Sequence, residues 1–180
     1  MTEAIISIDF QILDFIQNHM RCAFLDTVMP LVTMLGNGGF IWLFLTCLLL
    51  CMKTHRKRGI MLLSGLAAGF LVVSLILKPL VARPRPSWLL EIPLLITNPM
   101  DFSFPSGHTA SSFIAAFLLT AYRPRLGFIV LPIAALIAFS RLYLYVHFPS
   151  DILVSILLAG IISFCVIHTV RLYDTRKKRK

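Results

Sequence analysis

Acidic residues are scarce in this chain. Its 180 residues include only 8 Asp and Glu against 17 Lys and Arg, and only 14% of all residues are charged. Hydrophobic residues, by contrast, make up 58% of the sequence. Because this apolar excess is larger than a soluble core needs, the composition excludes an ordinary soluble domain and predicts an integral membrane protein.

Cysteine is also scarce, and its four copies are scattered at positions 22, 47, 51 and 165. This spacing signals neither a disulfide framework nor a zinc site. The first residues lack the positively charged region and the small-residue cleavage site of a signal peptide, so a cleaved leader is not expected. We therefore expect the apolar segments to remain in the mature protein.

Long apolar stretches dominate the rest of the sequence. Five of them have spanning or near-spanning length, at residues 38–52, 59–77, 106–122, 126–146 and 151–172. Backbone polar groups in lipid must be satisfied within the segment, which favours helices. The fold expected is therefore all-α, a polytopic transmembrane helical bundle formed by one domain over residues 1–180.

The N-terminal third is less regular. Residues 4–19 alternate apolar and polar side chains at helical spacing, which predicts an amphipathic helix at the membrane interface within segment 1–21. Residues 22–35 are apolar but short, so they form either a short sixth span or a re-entrant piece. The glycine-rich residues 36–39 then mark a turn.

The basic residues predict the orientation of the bundle. Four Lys and Arg lie in the loop 53–58, two at positions 123 and 125, and six between positions 171 and 180. The positive-inside rule places these segments, including the basic tail 173–180, in the cytoplasm. Residues 78–105 and 147–150 then share the external face, and the C-terminus is cytoplasmic.

Four cations occur near the external ends of the apolar stretches: Lys78, Arg83, Arg85 and Arg141. One alternative interpretation involves no chemistry: Lys78 could snorkel at a helix end, and Arg83 and Arg85 could bind lipid headgroups. Converging cations repel one another, however, unless a multivalent anion holds them together. Their occurrence beside paired histidines favours a phosphate-handling site.

The segment Pro105-Ser106-Gly107-His108 opens an apolar helix. Ser106 is a favourable N-cap, Gly107 lets an anion approach the backbone, and free N–H groups at a helix N-terminus attract negative charge. A capped transmembrane helix without function is the alternative interpretation. If an anion binds here, His108 stands beside it.

His147 and Asp151 are four residues apart at the start of the last apolar stretch. One helical turn can bring the carboxylate to the imidazole, which fixes the tautomer and raises the basicity of the other ring nitrogen. The alternative is that Asp151 only caps the helix while His147 rests at the interface. The first interpretation makes His147 a nucleophile or a base.

Three sequence motifs emerge: Lys78 with Arg85, the segment 105–108, and Arg141 with His147 and Asp151. Together they resemble the signature of the type 2 phosphatidic acid phosphatase superfamily, which includes lipid phosphate phosphatases, acid phosphatases and vanadium haloperoxidases. The resemblance covers residues 78–151, including the six residues between Lys78 and Arg85. It implies an all-helical core and hydrolysis of phosphate esters without a metal or other cofactor. Arg83 is additional to the matching positions, so its role stays open.

The resemblance also implies a role for each matching residue. His147 would attack phosphorus to form a phosphohistidine, Asp151 would orient it, and His108 would protonate the leaving oxygen. The phosphate oxygens would be bound by Lys78, Arg85, Ser106, Gly107 and Arg141.

The expected function is hydrolysis of a phosphomonoester or pyrophosphate on a lipid headgroup, at the external face of the cell membrane. Candidate substrates are undecaprenyl pyrophosphate, phosphatidic acid, phosphatidylglycerol phosphate and lipid A phosphate. Acids in the motif region are too few for a two-metal site, and no nucleic-acid partner is expected. The alternatives are a lipid-phosphate transporter or binding protein without hydrolysis and, less in keeping with a membrane-embedded site, a haloperoxidase.

Overall fold

The protein is all-helical over the residues that the computed structural model describes, 3–90 and 92–178, which confirms the expected fold class. A 3-10 turn at Asn37–Gly39 follows α2, and a π-helical segment at Phe70–Leu77 continues α4 into α5. The α-helices in this part of the chain are α1 Glu3–His19, α2 Ala23–Gly36, α3 Phe40–Cys51, α4 Arg56–Gly69, α5 Lys78–Val81, α6 Pro86–Leu89, α7 Gly107–Tyr122, α8 Pro124–Tyr143 and α9 Pro149–Lys178.

Four helical stretches in the described residues are long and apolar enough to cross a membrane: Ala23–Cys51, Arg56–Leu89, Pro124–Tyr143 and Pro149–Arg176. The chain is therefore a multi-pass membrane protein. The structure does not reproduce the expected count of five spans and a short sixth. Residues 22–35 and 38–52 contribute to one stretch, and α7, with 16 residues, is shorter than the other four.

The turn between α2 and α3 explains the first of these differences. Gly38 and Gly39 have φ values of 57° and 70°, in the left-handed region that glycine adopts without a Cβ penalty. The helix resumes immediately at Phe40. The glycines that the sequence marks as a turn thus interrupt one apolar stretch and do not separate two spans.

Helix α7 lies at the centre of the bundle and packs against α8, α9 and α4. The approach of α4 is close: a Cβ on Gly65 would lie 2.5 Å from Leu118 Cδ1, and one on Gly69 would lie 2.4 Å from Ile114 Cδ1. Small residues at such contacts let two helix backbones pack tightly within a membrane. The core therefore forms around α7, whose first turn carries the Ser106-Gly107-His108 motif.

The two ends of the bundle differ in chemistry. At one end, Lys57 pairs with Asp174 at 2.5 Å and Arg58 lies 3.7 Å above the Tyr122 ring, so the three basic segments meet there. At the other end lie the connections 82–106 and 144–148, which carry the motifs. Helix α9 continues as far as Lys178, so the basic tail is helical up to that point, and residues 179–180 lie outside the described residues.

Helix α1 packs at the motif end, with Leu13 against Tyr145 and Phe148. Its buried face also includes Asp9, which is 2% exposed, whereas Ile8 and Phe15 are more than half exposed. An outward apolar face suits contact with lipid. The helix forms where the periodicity predicts it, but its buried face carries a charge.

Candidate active site

A cavity of about 1190 Å³ opens at the motif end of the bundle. Its wall includes Lys78, Arg85, His108, Arg141 and His147, which come from three parts of the chain: residues 78–85, the start of α7, and residues 141–147. Gly107 lines the same cavity. The structure therefore brings most of the residues predicted from the three motifs to one place.

His147 lies in the connection between α8 and α9 and is only 1% exposed. Its Nε2 atom is 3.1 Å from Arg85 Nη1, and its Nδ1 atom is 3.5 Å from Asp151 Oδ2. Because arginine only donates, the contact with Arg85 assigns the lone pair to Nε2 and the proton to Nδ1. The ring therefore presents an unprotonated nitrogen beside the cations.

The surroundings also favour the neutral form of this imidazole. Burial, followed by the positive charges of Arg85 and Arg141, lowers the pKa of His147 well below its usual range. A histidine that stays neutral at physiological pH keeps its lone pair for attack on an electrophile.

Asp151 is fully buried behind His147 and does not line the cavity. Its Oδ2 atom accepts hydrogen bonds from Ser103 Oγ at 2.5 Å and from the Phe148 backbone N–H at 2.9 Å. These bonds fix the carboxylate next to His147. Ser103, which belongs to none of the three sequence motifs, contacts both residues, since its Oγ atom also lies 3.4 Å from His147 Nδ1.

Backbone carbonyls hold the Arg85 side chain in place. It is 2% exposed, its Nη1 atom donates to Val146 O at 2.5 Å, and its Nε atom donates to Asp101 O at 2.7 Å. The Asp101 carboxylate accepts from Arg85 Nη2 at 2.7 Å and also pairs with Lys78. Two cations thus converge on one carboxylate.

This ion-pair cluster keeps Asp101 charged. Burial raises the pKa of Asp101, but the hydrogen bonds and charges of Lys78 and Arg85 outweigh that effect and lower it to about 2. The carboxylate is therefore ionised at all physiological pH values.

Arg141, near the end of α8, is 3% exposed and donates from Nη1 to Thr33 Oγ1 at 2.5 Å. Its buried Nε atom has no hydrogen-bond partner among the described residues. A buried guanidinium with unused donors in a cavity wall is suited to binding an anion. Thr33, on α2, is a contact that no local motif predicts.

The N-terminus of α7 has the expected cap, since Ser106 Oγ accepts from Thr109 N at 3.4 Å. The Ser106 backbone N–H, however, donates to Ser155 Oγ at 2.8 Å, and Ser106 is fully buried and absent from the cavity wall. Gly107 does reach the cavity. At this helix end, the structure places Gly107 where an anion has access and Ser106 behind it.

His108 lies on the first turn of α7, across from the interrupted helix α2–α3. Its Nε2 atom is 2.9 Å from Asn37 Oδ1. A Cβ on Gly36 would lie only 2.7 Å from His108 Cδ2, so the absence of a side chain there makes room for the imidazole. Two residues of the glycine-rich turn therefore set the position of His108.

Arg83, whose role the sequence left open, does not line the cavity. It is 6% exposed and forms ion pairs with Asp151 at 2.5 Å and with Asp9 at 2.7 Å. Asp9 lies on α1, where the sequence shows no motif. The sequence shows only that Asp9 is an acidic residue on an amphipathic helix. It does not reveal that Asp9 is buried or that its partner is Arg83.

The cavity continues away from the charged residues into an apolar part. Its wall there includes Leu43 of α3, Leu63 and Leu66 of α4, and Phe70 and Val73 of the π-helical segment. A ligand with a charged head and an apolar tail matches this division, because each part meets surroundings of its own polarity.

Comparison with known proteins agrees with the family resemblance of the sequence motifs. Residues 57–175 match the model of the PAP2 superfamily. Undecaprenyl-diphosphatase of Sulfolobus acidocaldarius is 33% identical over 82% of this chain and 71% of its own length.

Two solved structures share the fold. The crystal structure of Aquifex aeolicus LpxE has a TM-score of 0.78 and 29% identity, covering 89% of this chain and 95% of its own. The transmembrane PAP2 type phosphatidylglycerolphosphate phosphatase from Bacillus subtilis has a TM-score of 0.77 and 27% identity, covering 94% and 88%.

Proposed function

The chain belongs to the PAP2 superfamily, and on this premise we propose that it is a membrane lipid phosphatase that cleaves a phosphomonoester or pyrophosphate on a lipid headgroup. One observation carries the proposal. His147, whose Nε2 atom lies 3.1 Å from Arg85 Nη1, lines a cavity whose wall also holds Lys78, Arg85 and Arg141 and which continues into an apolar part.

In the first chemical step, His147 Nε2 attacks phosphorus as the bond from phosphorus to the leaving oxygen breaks. His108 donates a proton to that oxygen, so a neutral alcohol or a protonated lipid phosphate departs. Asp151 holds the imidazole and stabilises the positive charge that develops on it.

In the second step, water attacks the phosphohistidine. His108 accepts the proton of the water, the bond from nitrogen to phosphorus breaks, and inorganic phosphate leaves with His147 restored. Lys78, Arg85, Arg141 and the Gly107 N–H stabilise the negative charge on the phosphate oxygens in both transition states. Ser106 contributes by capping α7 and thereby placing that N–H.

The division of the cavity supports a lipid substrate. The headgroup phosphate meets the cations, and the tail lies along Leu63, Leu66 and Phe70. Undecaprenyl pyrophosphate, phosphatidic acid, phosphatidylglycerol phosphate and lipid A phosphate all have this form. Relatives named as an undecaprenyl-diphosphatase and as a phosphatidylglycerolphosphate phosphatase support including the first and third in any substrate panel.

The proposed placement is a single domain in the cell membrane, with the active site on the external face and the C-terminus in the cytoplasm. The interrupted helix α2–α3, the stretch from α4 through the π-helical segment, α7, α8 and α9 give five crossings. Helix α1 lies at the external interface. The meeting of the basic segments at the end opposite the cavity supports this orientation.

Phosphate release from the lipid panel, by purified protein in detergent with EDTA present, tests the function. We expect release with EDTA and a loss of several powers of ten in His147→Ala, because the nucleophile is removed. His168→Ala, which changes an exposed histidine on α9, is the matched control and should retain activity. Lipid binding without release would identify a binding protein or transporter, and more than about a hundredth of wild-type rate in His147→Ala would exclude the nucleophile assignment.

A further inference from the structure

A row of three buried charges lies behind the His147 imidazole. Asp9, Arg83 and Asp151 are 2%, 6% and 0% exposed, and Arg83 bridges the two carboxylates. Only Asp151 belongs to the motifs discussed above. Asp9 comes from α1 and is separated from Ser150, the neighbour of Asp151, by 141 positions along the chain.

The geometry of Arg83 explains how it connects the two acids. Nη1 donates to Asp151 Oδ1 at 2.5 Å and to Ser150 Oγ at 2.8 Å, whereas Nη2 donates to Asp9 Oδ2 at 2.7 Å. The guanidinium also lies 3.8 Å above the Phe148 ring. The position of this plane is therefore fixed on several sides.

Asp9 makes further contacts at the start of α9. Its Oδ1 atom accepts from the Ser150 backbone N–H at 2.9 Å, and its Oδ2 atom accepts from Ser150 Oγ at 2.5 Å. It therefore fixes both Arg83 and the first turn of the helix that carries Asp151. The Asp151 Oδ2 atom is left to Ser103, the Phe148 N–H and His147.

Charge balance gives Asp9 a second effect. A guanidinium paired with Asp151 alone would cancel the negative charge that His147 needs as it becomes positive during attack. On its other side, His147 meets the positive charges of Arg85, Arg141 and Lys78. A second buried carboxylate balances Arg83 and leaves one net negative charge in the set.

We propose that Asp9 is a positioning residue, which acts through Arg83 to hold the Asp151 carboxylate in place against His147 and which balances the charge of Arg83. The proposal rests on the hydrolytic function proposed above. Neither Asp9 nor Arg83 lines the cavity, so the effect belongs to the chemical step and not to substrate binding. Helix α1 is then part of the catalytic apparatus.

Asp9→Asn tests the proposal, because it removes the charge and keeps the shape. We expect kcat for the best lipid phosphate to fall about 10- to 100-fold, the scale of a small misplacement of a reacting group, with KM unchanged. Asp14→Asn is the matched control, since it neutralises an exposed acid of the same helix that accepts a hydrogen bond from Tyr145 Oη at 3.3 Å, and it should match wild type.

The inhibition constants of orthovanadate and inorganic phosphate distinguish a positioning role of Asp9 from a merely structural one. Orthovanadate accepts a fifth ligand from His147, so its inhibition constant should rise in Asp9→Asn together with the fall in kcat. Inorganic phosphate binds through the cations alone, so its inhibition constant should stay constant. A variant that only unfolds more easily loses active protein and changes neither constant.

A double-mutant cycle completes the experiment. If Asp9 acts through Arg83, Asp9→Asn combined with Arg83→Lys should be no slower than the slower single variant, whereas independent roles would multiply the losses. Multiplied losses, an unchanged kcat in Asp9→Asn, or a change confined to KM would overturn the proposal. If Asp9→Asn does not fold, Arg83→Lys alone should show the same selective loss in kcat.

The proposed function is checked in the same series with wild type and His147→Ala. An active wild type and an inactive His147→Ala uphold the hydrolytic function whatever Asp9→Asn does. An inactive wild type would refute the function itself.

Discussion

At the scale of single residues, Asp101 determines what an incoming phosphate meets. Its carboxylate pairs with Lys78 and with Arg85, which are two of the three cations proposed to bind phosphate. The side chain is 57% exposed, and Arg85 is held independently by the carbonyl oxygens of Asp101 and Val146. Phosphate must therefore displace a carboxylate that is not needed to keep Arg85 in place.

We accordingly expect Asp101→Asn to bind inorganic phosphate more tightly. The inhibition constant should fall roughly 2- to 5-fold, because an ion pair with a solvent-exposed carboxylate is worth up to about 1 kcal/mol. Competitive inhibition of lipid-phosphate hydrolysis measures it. Asp174→Asn, which removes the partner of Lys57 at the opposite end of the bundle, is the control. Weaker phosphate binding in Asp101→Asn would instead show that the carboxylate positions the two cations.

The sequence identifies the cavity residues well because their chemistry is unusual for a membrane protein. Lys78, Arg85 and Arg141 are costly near apolar stretches, and all three line the cavity. Ser106 and Arg83 show the limit of such reasoning. Both have residue types that suit phosphate binding, but the Ser106 hydroxyl caps its own helix and Arg83 pairs with Asp9 of α1, and both residues are buried by packing between helices that are distant in sequence.

At the scale of helices, the interruption between α2 and α3 brings polar groups to the cavity. Thr33 accepts a hydrogen bond from Arg141, and Asn37 Oδ1 lies 2.9 Å from His108 Nε2. The glycines of residues 36–39 predict a turn from sequence alone. They do not predict that it lies beside α7, because local periodicity carries no information about which helices are neighbours.

Gly36→Ala should disturb His108 selectively. The added Cβ would lie 2.7 Å from His108 Cδ2 and 2.9 Å from Ile137 Cγ2, so the imidazole must shift. We expect up to about 100-fold slower hydrolysis of a lipid phosphomonoester, because its leaving alcohol needs a proton, and a much smaller loss with p-nitrophenyl phosphate.

The control for this variant is Gly160→Ala on α9. Its Cβ would meet only Phe117 Cε2, at the ordinary contact distance of 3.9 Å, so both substrates should be hydrolysed at about the wild-type rate. Equal losses on the two substrates in Gly36→Ala would show that the clash affects a part of the site other than the acid.

At the scale of the whole molecule, the length of α7 fixes the depth of the site. Its 16 residues extend about 24 Å, whereas the hydrocarbon core of a bilayer is about 30 Å thick. We therefore expect the proposed anion site at its N-terminus to lie at or slightly below the headgroups, where a lipid phosphate would reach it without leaving the membrane. The sequence alone predicts this depth, because it shows both the motif 105–108 and the end of the apolar stretch at Tyr122.

The contribution of α1 could not be predicted in the same way. Its exposed apolar residues give a clear helical pattern, and the proposed interfacial location rests on that pattern. Asp9 is the exception, since it faces Arg83 and the start of α9. In the alternating pattern of the sequence, Asp9 looks like any other polar residue of α1. Only the structure shows that α1 packs against the start of α9 through Asp9.

Orientation in the membrane is the last property that the assembled molecule lets us predict. Basic residues of three segments meet at one end, so the cavity end should face outward. In a variant with the four native cysteines replaced, Met100→Cys should react with an impermeant thiol reagent added to intact cells, because Met100 is 97% exposed beside the cavity. Thr54→Cys, in the basic loop between α3 and α4, should react only after the membrane is disrupted. The reverse pattern would place the reaction at the cytoplasmic face.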